Sequence, residues 1–219
     1  MAKLVVFGAG DIARLAHFYF TGDSDHEVVA FTVDPAFRTA DRFMDLPLVG
    51  SDDIQRLYPP STHGAFVALS YTRMNAVRAE KYRWMKGLGY RLVTYVSSRC
   101  SYLSQFPPGD NCFILEDNTV QPYVRVGSNV TLWSGNHIGH DATIGDHCFI
   151  SSHVVVSGHV DIGESCFIGV NATLRNSISI GAHTLIGAGA VIMKNTRPKS
   201  VYLGPRAERF TKSSDEVEL

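Results

Sequence analysis

No apolar run in this sequence approaches the roughly 20 residues that a membrane-spanning helix needs; the stretch around Lys3–Phe7 is among the longest. Excess charge is missing too. The 219 residues carry 20 Lys and Arg against 21 Asp and Glu, a net charge of −1. Binding to nucleic acid or to an anionic membrane through bulk charge is therefore not expected. Cysteine is scarce, with four residues, no CxxC pair and no zinc-ligand spacing. Met1-Ala2-Lys3 runs straight into an apolar segment and a glycine turn with no small-residue cleavage site, so no signal peptide is expected and the reducing cytoplasm is the expected location.

What the chain does have is a strict repeat. Stepping by six from Ile114 reaches Val120, Val126, Leu132, Ile138, Ile144, Ile150, Val156, Ile162, Ile168, Leu174, Ile180, Ile186 and Ile192 without a break. We read these aliphatic residues as the corners of a coil; the next residue is often glycine, as at Gly127, Gly139, Gly145, Gly163, Gly169, Gly181 and Gly187, which relieves the tight turn there. Two places before the aliphatic residue the side chains are mostly small, and all four cysteines fall in that phase, which makes them core fillers.

The first half has a different grammar. Residues 3–10 read as a buried strand entering a glycine turn, and Asp11 to Phe20 has helical apolar spacing. Gly8, Gly10 and Ala13 match G-x-G-x-x-A, with Ala9 and Asp11 in the same turn. A second strand, Glu27 to Val33, ends at Asp34, placed to reach a ribose hydroxyl. His63 to Leu69 reads as another strand, followed by Ser70 and Tyr71, a helix to about Lys86, and a last strand from Arg91 to Val96. The unit is short for a dinucleotide, which favours a nucleotide-sugar over NAD.

This order resembles the bacterial sugar acyltransferases of the hexapeptide-repeat family, which act on bacillosamine, perosamine and sialic acid. The resemblance implies an α/β Rossmann-like domain over 1–95, an all-β left-handed parallel β-helix over 96–210, and a flexible tail over 211–219. Residues eighteen apart then stack at the strand spacing of about 4.8 Å. It further implies a homotrimer with active sites at subunit interfaces and acetyl-CoA as co-substrate. The acceptor would be the amino group of a nucleotide-linked sugar, in surface-glycan biosynthesis. The sugar is expected on Gly8, Ala9, Gly10, Asp11, Asp34, Ser70 and Tyr71. Register carries the CoA contacts to Phe149, Asp161, Val170 and Ala188, with Arg206 among the candidates for its phosphates.

For the chemistry, His140 stands alone in phase among six histidines of the repeat and is followed by Asp141. The resemblance makes this the counterpart of the family's His-Asp or His-Glu pair and implies His140 as general base assisted by Asp141, and the chemistry agrees: imidazole exchanges its proton near neutral pH, and a neighbouring carboxylate fixes its tautomer. Gly158 stacks on it and offers an oxyanion contact. His147, His153, His159 and His183 share one hexad position that reads as solvent-facing, and His137 is the rival base. No three-His set converges, so no metal is expected. Two other readings stay open: sugar O-acetylation with the same base, and a non-catalytic scaffold that binds a nucleotide-sugar.

Overall fold

A computed structural model describes residues 2–217. The first part is a six-stranded sheet in the order β3-β4-β2-β1-β5-β6. Its strands are β1 (Ala2–Phe7), β2 (His26–Val33), β3 (Arg42–Phe43), β4 (Leu46–Gly50), β5 (His63–Val67) and β6 (Arg91–Leu92). Helices α1 (Asp11–Gly22), α2 (Ile54–Leu57) and α3 (Ala76–Gly87) connect them. All pairings are parallel except β3 with β4. Val5 and Val6 of β1 are fully buried on opposite faces, as expected for a central parallel strand covered on both sides. The segment 35–62, which sequence periodicity passes over, supplies β3 and β4 at one edge of the sheet, and α2; its elements are too short to show a period.

From Tyr95 onward the chain is a left-handed parallel β-helix of two-residue strands. Three faces form a triangular prism. The first holds residues 95–96, 113–114, 131–132, 149–150, 167–168, 185–186 and 201–202. The second runs from 101–102 to 191–192, and the third from 125–126 to 179–180. Strand partners are eighteen residues apart over most of the prism, as with His137 on Val155. The periodic aliphatic residues point inward, and Ile138, Ile150, Val156 and Ile168 are fully buried. Each such side chain contributes about 1.5–3 kcal/mol by leaving water.

Three sequence expectations need correction. The aliphatic residues line the faces, not the corners. At the corners, the residue three places after the aliphatic one takes the left-handed conformation, as Asn129, Asp141, His159 and Asn171 do at φ 56, 58, 56 and 59. The glycine next to the aliphatic residue serves packing: a Cβ on Gly139 would meet Gly158 N at 2.5 Å, and one on Gly145 would meet Glu164 N at 2.7 Å. Lastly, Arg91–Val96 is not one strand. Arg91–Leu92 closes the first sheet, while Tyr95–Val96 pairs with Phe113–Ile114 in the prism.

Arg78 fastens the two parts together. It is fully buried with no carboxylate partner among the described residues, and its guanidinium donates to the carbonyls of Asn129, His147 and Cys148 and to Asn75 Oδ1. Burial lowers its pKa to about 10. Tyr71, Phe149, Phe167 and Trp133 continue the seam, with Tyr71 edge-on to Phe149 and tilted on Phe167, and Phe149 stacked on Trp133 and Phe167. Beyond the prism, Ser214–Glu216 forms a 3₁₀ turn capped by Ser213. The flexible tail expected over 211–219 ends at residues 218–219, which lie outside the described residues.

Candidate active site

His140 and Asp141 occupy the vertex between the second and third faces, after strand 137–138 and before 143–144. His140 Nδ1 lies 2.9 Å from Asp141 Oδ2. An ionised carboxylate only accepts, so Nδ1 carries the hydrogen and the Nε2 of a neutral ring is left with a free lone pair. Gln121 Oε1 accepts from the His140 backbone N–H at 2.8 Å and steadies the turn. The next coil places Gly158 against the Nε2 edge of the ring: a Cβ there would come within 2.7 Å of Nε2 and 2.8 Å of Cε1. Among the described residues, the Gly158 N–H has no hydrogen-bond acceptor in the protein.

His159 follows Gly158 and meets His140 edge-on, with ring centroids 4.9 Å apart and planes at 90°. Its Nε2 is 4.0 Å from Asp141 Oδ2. The carboxylate thus belongs to His140 and only brushes His159. His137 lies on the second face between Thr119 and Val155, on the strand before the His140 corner. The solvent-facing reading fails for His147. Docking of α3 buries it beneath Tyr82, with Nδ1 2.9 Å from Asn129 Nδ2, and burial lowers its pKa.

A second concavity, of about 230 Å³, opens at the carboxyl ends of β1 and β2 and is lined by Phe7, Gly8, Ala9, Val33, Asp34, Phe37, Leu69, Val77 and Lys81. This is where an open parallel sheet ordinarily receives a ligand. Gly8 has φ +132 and abuts Ala68 O, so only glycine fits there. Gly10 is the N-cap of α1, and among the described residues nothing other than its immediate chain neighbours lies within 4 Å of where its Cβ would be. Asp11 is exposed and pairs with Arg14 at 3.3 Å. Asp34 stands at the rim, yet its carboxylate is held by Lys81 at 2.7 Å and by Ser51 at 3.2 Å. Lys81, Phe37 and Val77 escaped sequence reasoning; the only available signal was the i,i+4 spacing of Val77 and Lys81 on one helix face.

Ser70 and Tyr71 do not line this concavity. Ser70 Oγ is 3.2 Å from Thr72 Oγ1, and the Tyr71 ring leans over Phe149 and Phe167. Phe149, a residue to which register carries a CoA contact, is 4% exposed, with its ring packed within the seam between the two parts, so its side chain offers no open surface there. Val170 and Ala188 stack at the vertex between the first and second faces, with Val170 42% exposed. Asp161 sits apart from them on the third face. Arg206 is exposed beyond the last strand.

The profile of the bacterial transferase hexapeptide family (six repeats) matches residues 123–158 and 159–194. Those residues are bacterial-transferase hexapeptide repeats. Among solved structures, a His-to-Asn mutant of perosamine N-acetyltransferase from Caulobacter crescentus, in complex with CoA and GDP-perosamine, is similar to the repeat protein over 93% of this chain and 94% of that one. Its TM-score is 0.80 at 20% identity. The acetyltransferase domain of PglB from Neisseria gonorrhoeae aligns over 93% of this chain and 97% of that one, with TM-score 0.79 at 21% identity. WeeI from Acinetobacter baumannii AYE covers 93% and 97%, with TM-score 0.79 at 17% identity. At these identities the likeness is one of fold. No curated protein matches the chain by sequence. No helix among the described residues is long and apolar enough to cross a membrane.

Proposed function

We propose that this protein is an acetyltransferase that moves acetyl from acetyl-CoA to the amino group of a nucleotide-linked sugar. The observation that carries this is the His140–Asp141 pair, with the Nε2 edge of the ring turned toward Gly158. The neutral amine attacks the thioester carbonyl while Nε2 takes its proton, and Asp141 stabilises the resulting imidazolium. The carbonyl oxygen, gaining charge, accepts from the Gly158 N–H; the C–S bond then breaks and CoA leaves. Similarity to a fold solved with CoA and GDP-perosamine supports the pairing of donor and acceptor classes.

The nucleotide is assigned to the concavity at the ends of β1 and β2, with its phosphates approaching the open space over Gly10 at the start of α1. The first part of the chain covers the first face of the prism, through Tyr71 on Phe149 and Arg78 at the adjoining vertex. His140 is at the vertex opposite that face. One chain therefore keeps its two half-sites apart, which supports a homotrimer in which one subunit's nucleotide meets the next subunit's His140. Val191 and Met193, 61% and 54% exposed on and beside the second face, are apolar surface suited to that contact.

The test is thiol release from acetyl-CoA with UDP-, GDP- and dTDP-linked 4-amino sugars and with free sialic acid, for the wild-type protein and His140→Ala. Release with one amino sugar, lost in the variant, is the expected result. Release with sialic acid alone would move the acceptor from amine to hydroxyl. Survival of activity in His140→Ala would remove His140 as base.

A further inference from the structure

The coil register that builds the base also stacks a third donor beside it, which the proposed reaction leaves unused. Asp141 and His159 are successive members of one vertex column, both left-handed at φ 58 and 56, and His140 and Gly158 form the column next to it. Because residue 158 has no side chain, nothing stands between the two imidazoles. Asp141 Oδ2 is 2.9 Å from His140 Nδ1 and 4.0 Å from His159 Nε2. One donor atom from each residue lies within 4.8 Å of the others. The three side chains are open to solvent, at 53%, 42% and 58% exposure for His140, Asp141 and His159.

Two imidazole nitrogens and one carboxylate oxygen suit a borderline divalent metal such as Zn²⁺, whose tetrahedral ligands at 2.0–2.2 Å stand about 3.4 Å from one another. The two Asp141 separations, 2.9 and 4.0 Å, bracket that value and the third is within 4.8 Å, a spread on the scale of small side-chain rotations, with a fourth position left open. We propose that His140, Asp141 and His159 form a Zn²⁺-class site whose occupation silences the base.

The silencing follows from the tautomer. As base, His140 keeps its hydrogen on Nδ1, donated to Asp141, and offers Nε2. As ligand, it gives the Nδ1 lone pair to the metal, so the hydrogen moves to Nε2 and no lone pair faces the acceptor. Metal and proton transfer exclude each other. The exclusion rests on the acetyltransferase reading; the binding site does not. The expectation of no metal came from seeking a converging set of three histidines, whereas this set is of mixed type, two histidines and a carboxylate across two neighbouring columns.

The full-length protein, without acetyl-CoA, is titrated with Zn²⁺ by calorimetry and with Co²⁺ by its visible absorption. His159→Asn is the key variant, since asparagine tolerates the left-handed corner and keeps the coil intact. His183→Asn is its control: His183 holds the same hexad position, with Nε2 3.8 Å from Glu164 Oε1. We expect His159→Asn to weaken Zn²⁺ binding by about 100-fold and His183→Asn to leave it unchanged. Equal affinity of wild type and His159→Asn, or a loss confined to His183→Asn, would overturn the site. Thiol release is then followed with and without Zn²⁺. Release that persists with the site filled would overturn the silencing, and absence of release without metal would count against the acetyltransferase reading while the binding result stands.

Discussion

A methyl group on Gly158 would sit 2.7 Å from His140 Nε2 and 3.1 Å from Cδ2, so any side chain there must push the ring aside. The Gly158 backbone is not in the left-handed region, and Gly158→Ala leaves the coil itself unstrained. We expect Gly158→Ala to keep the far-ultraviolet circular dichroism of the wild type and to lose about 100-fold in acetyl transfer, the scale of a displaced catalytic group. Full turnover in Gly158→Val would separate this residue from the chemistry altogether. The His140–Gly158 pair was legible in the sequence because eighteen-residue stacking is arithmetic. Phe149 and His147 were not, since the exposure of an outward side chain depends on what docks against it. The Asp34–Lys81 ion pair was equally hidden, because it joins a strand end to a helix 47 residues later.

Helix α3 binds to the prism through polar groups. Asn75 sends its amide to the carbonyls of Ser165 and Cys166, and Arg78 reaches the carbonyls at the vertex below. Three successive non-glycine residues, Arg73, Met74 and Asn75, are left-handed at φ 52, 53 and 66, a costly turn held in place by those bonds. Arg78→Ala strips the donor from the carbonyls of Asn129 and His147 in a buried seam. We expect a loss of about 3 kcal/mol, read from the urea midpoint. Arg78→Lys should recover little of it, since a single ammonium does not reproduce a planar fork. An unchanged midpoint in Arg78→Ala would mean the seam is not a stabilising contact.

At the scale of the proposed trimer, the concavity assigned to the nucleotide and the proposed base His140 lie on opposite sides of one prism, which leads to a test by mixing. Subunits carrying His140→Ala lack a base but keep the concavity. Subunits with a large residue at Gly8, where a Cβ meets Ala68 O at 2.6 Å, lack the concavity but keep the base. Neither variant should transfer acetyl alone. Unfolded and refolded together, or co-expressed, they should regain activity through interfaces that unite one good half from each. Light scattering should give three times the 24.1 kDa chain mass. A monomer, or failure of the mixture to recover when both variants are trimeric, would place both halves of the site in one chain.

The sequence by itself determined the prism, its period and the column in which each residue stands, because a six-residue repeat with an inward aliphatic side chain has a fixed stacking interval. It also determined the glycine turn that opens the first sheet. Only the tertiary structure decided which outward faces are covered, which cation the Asp34 carboxylate holds, and that Asp141 pairs with His140 rather than with the His159 stacked on it. Those outcomes depend on contacts between segments far apart in the chain, to which periodicity within either segment is blind.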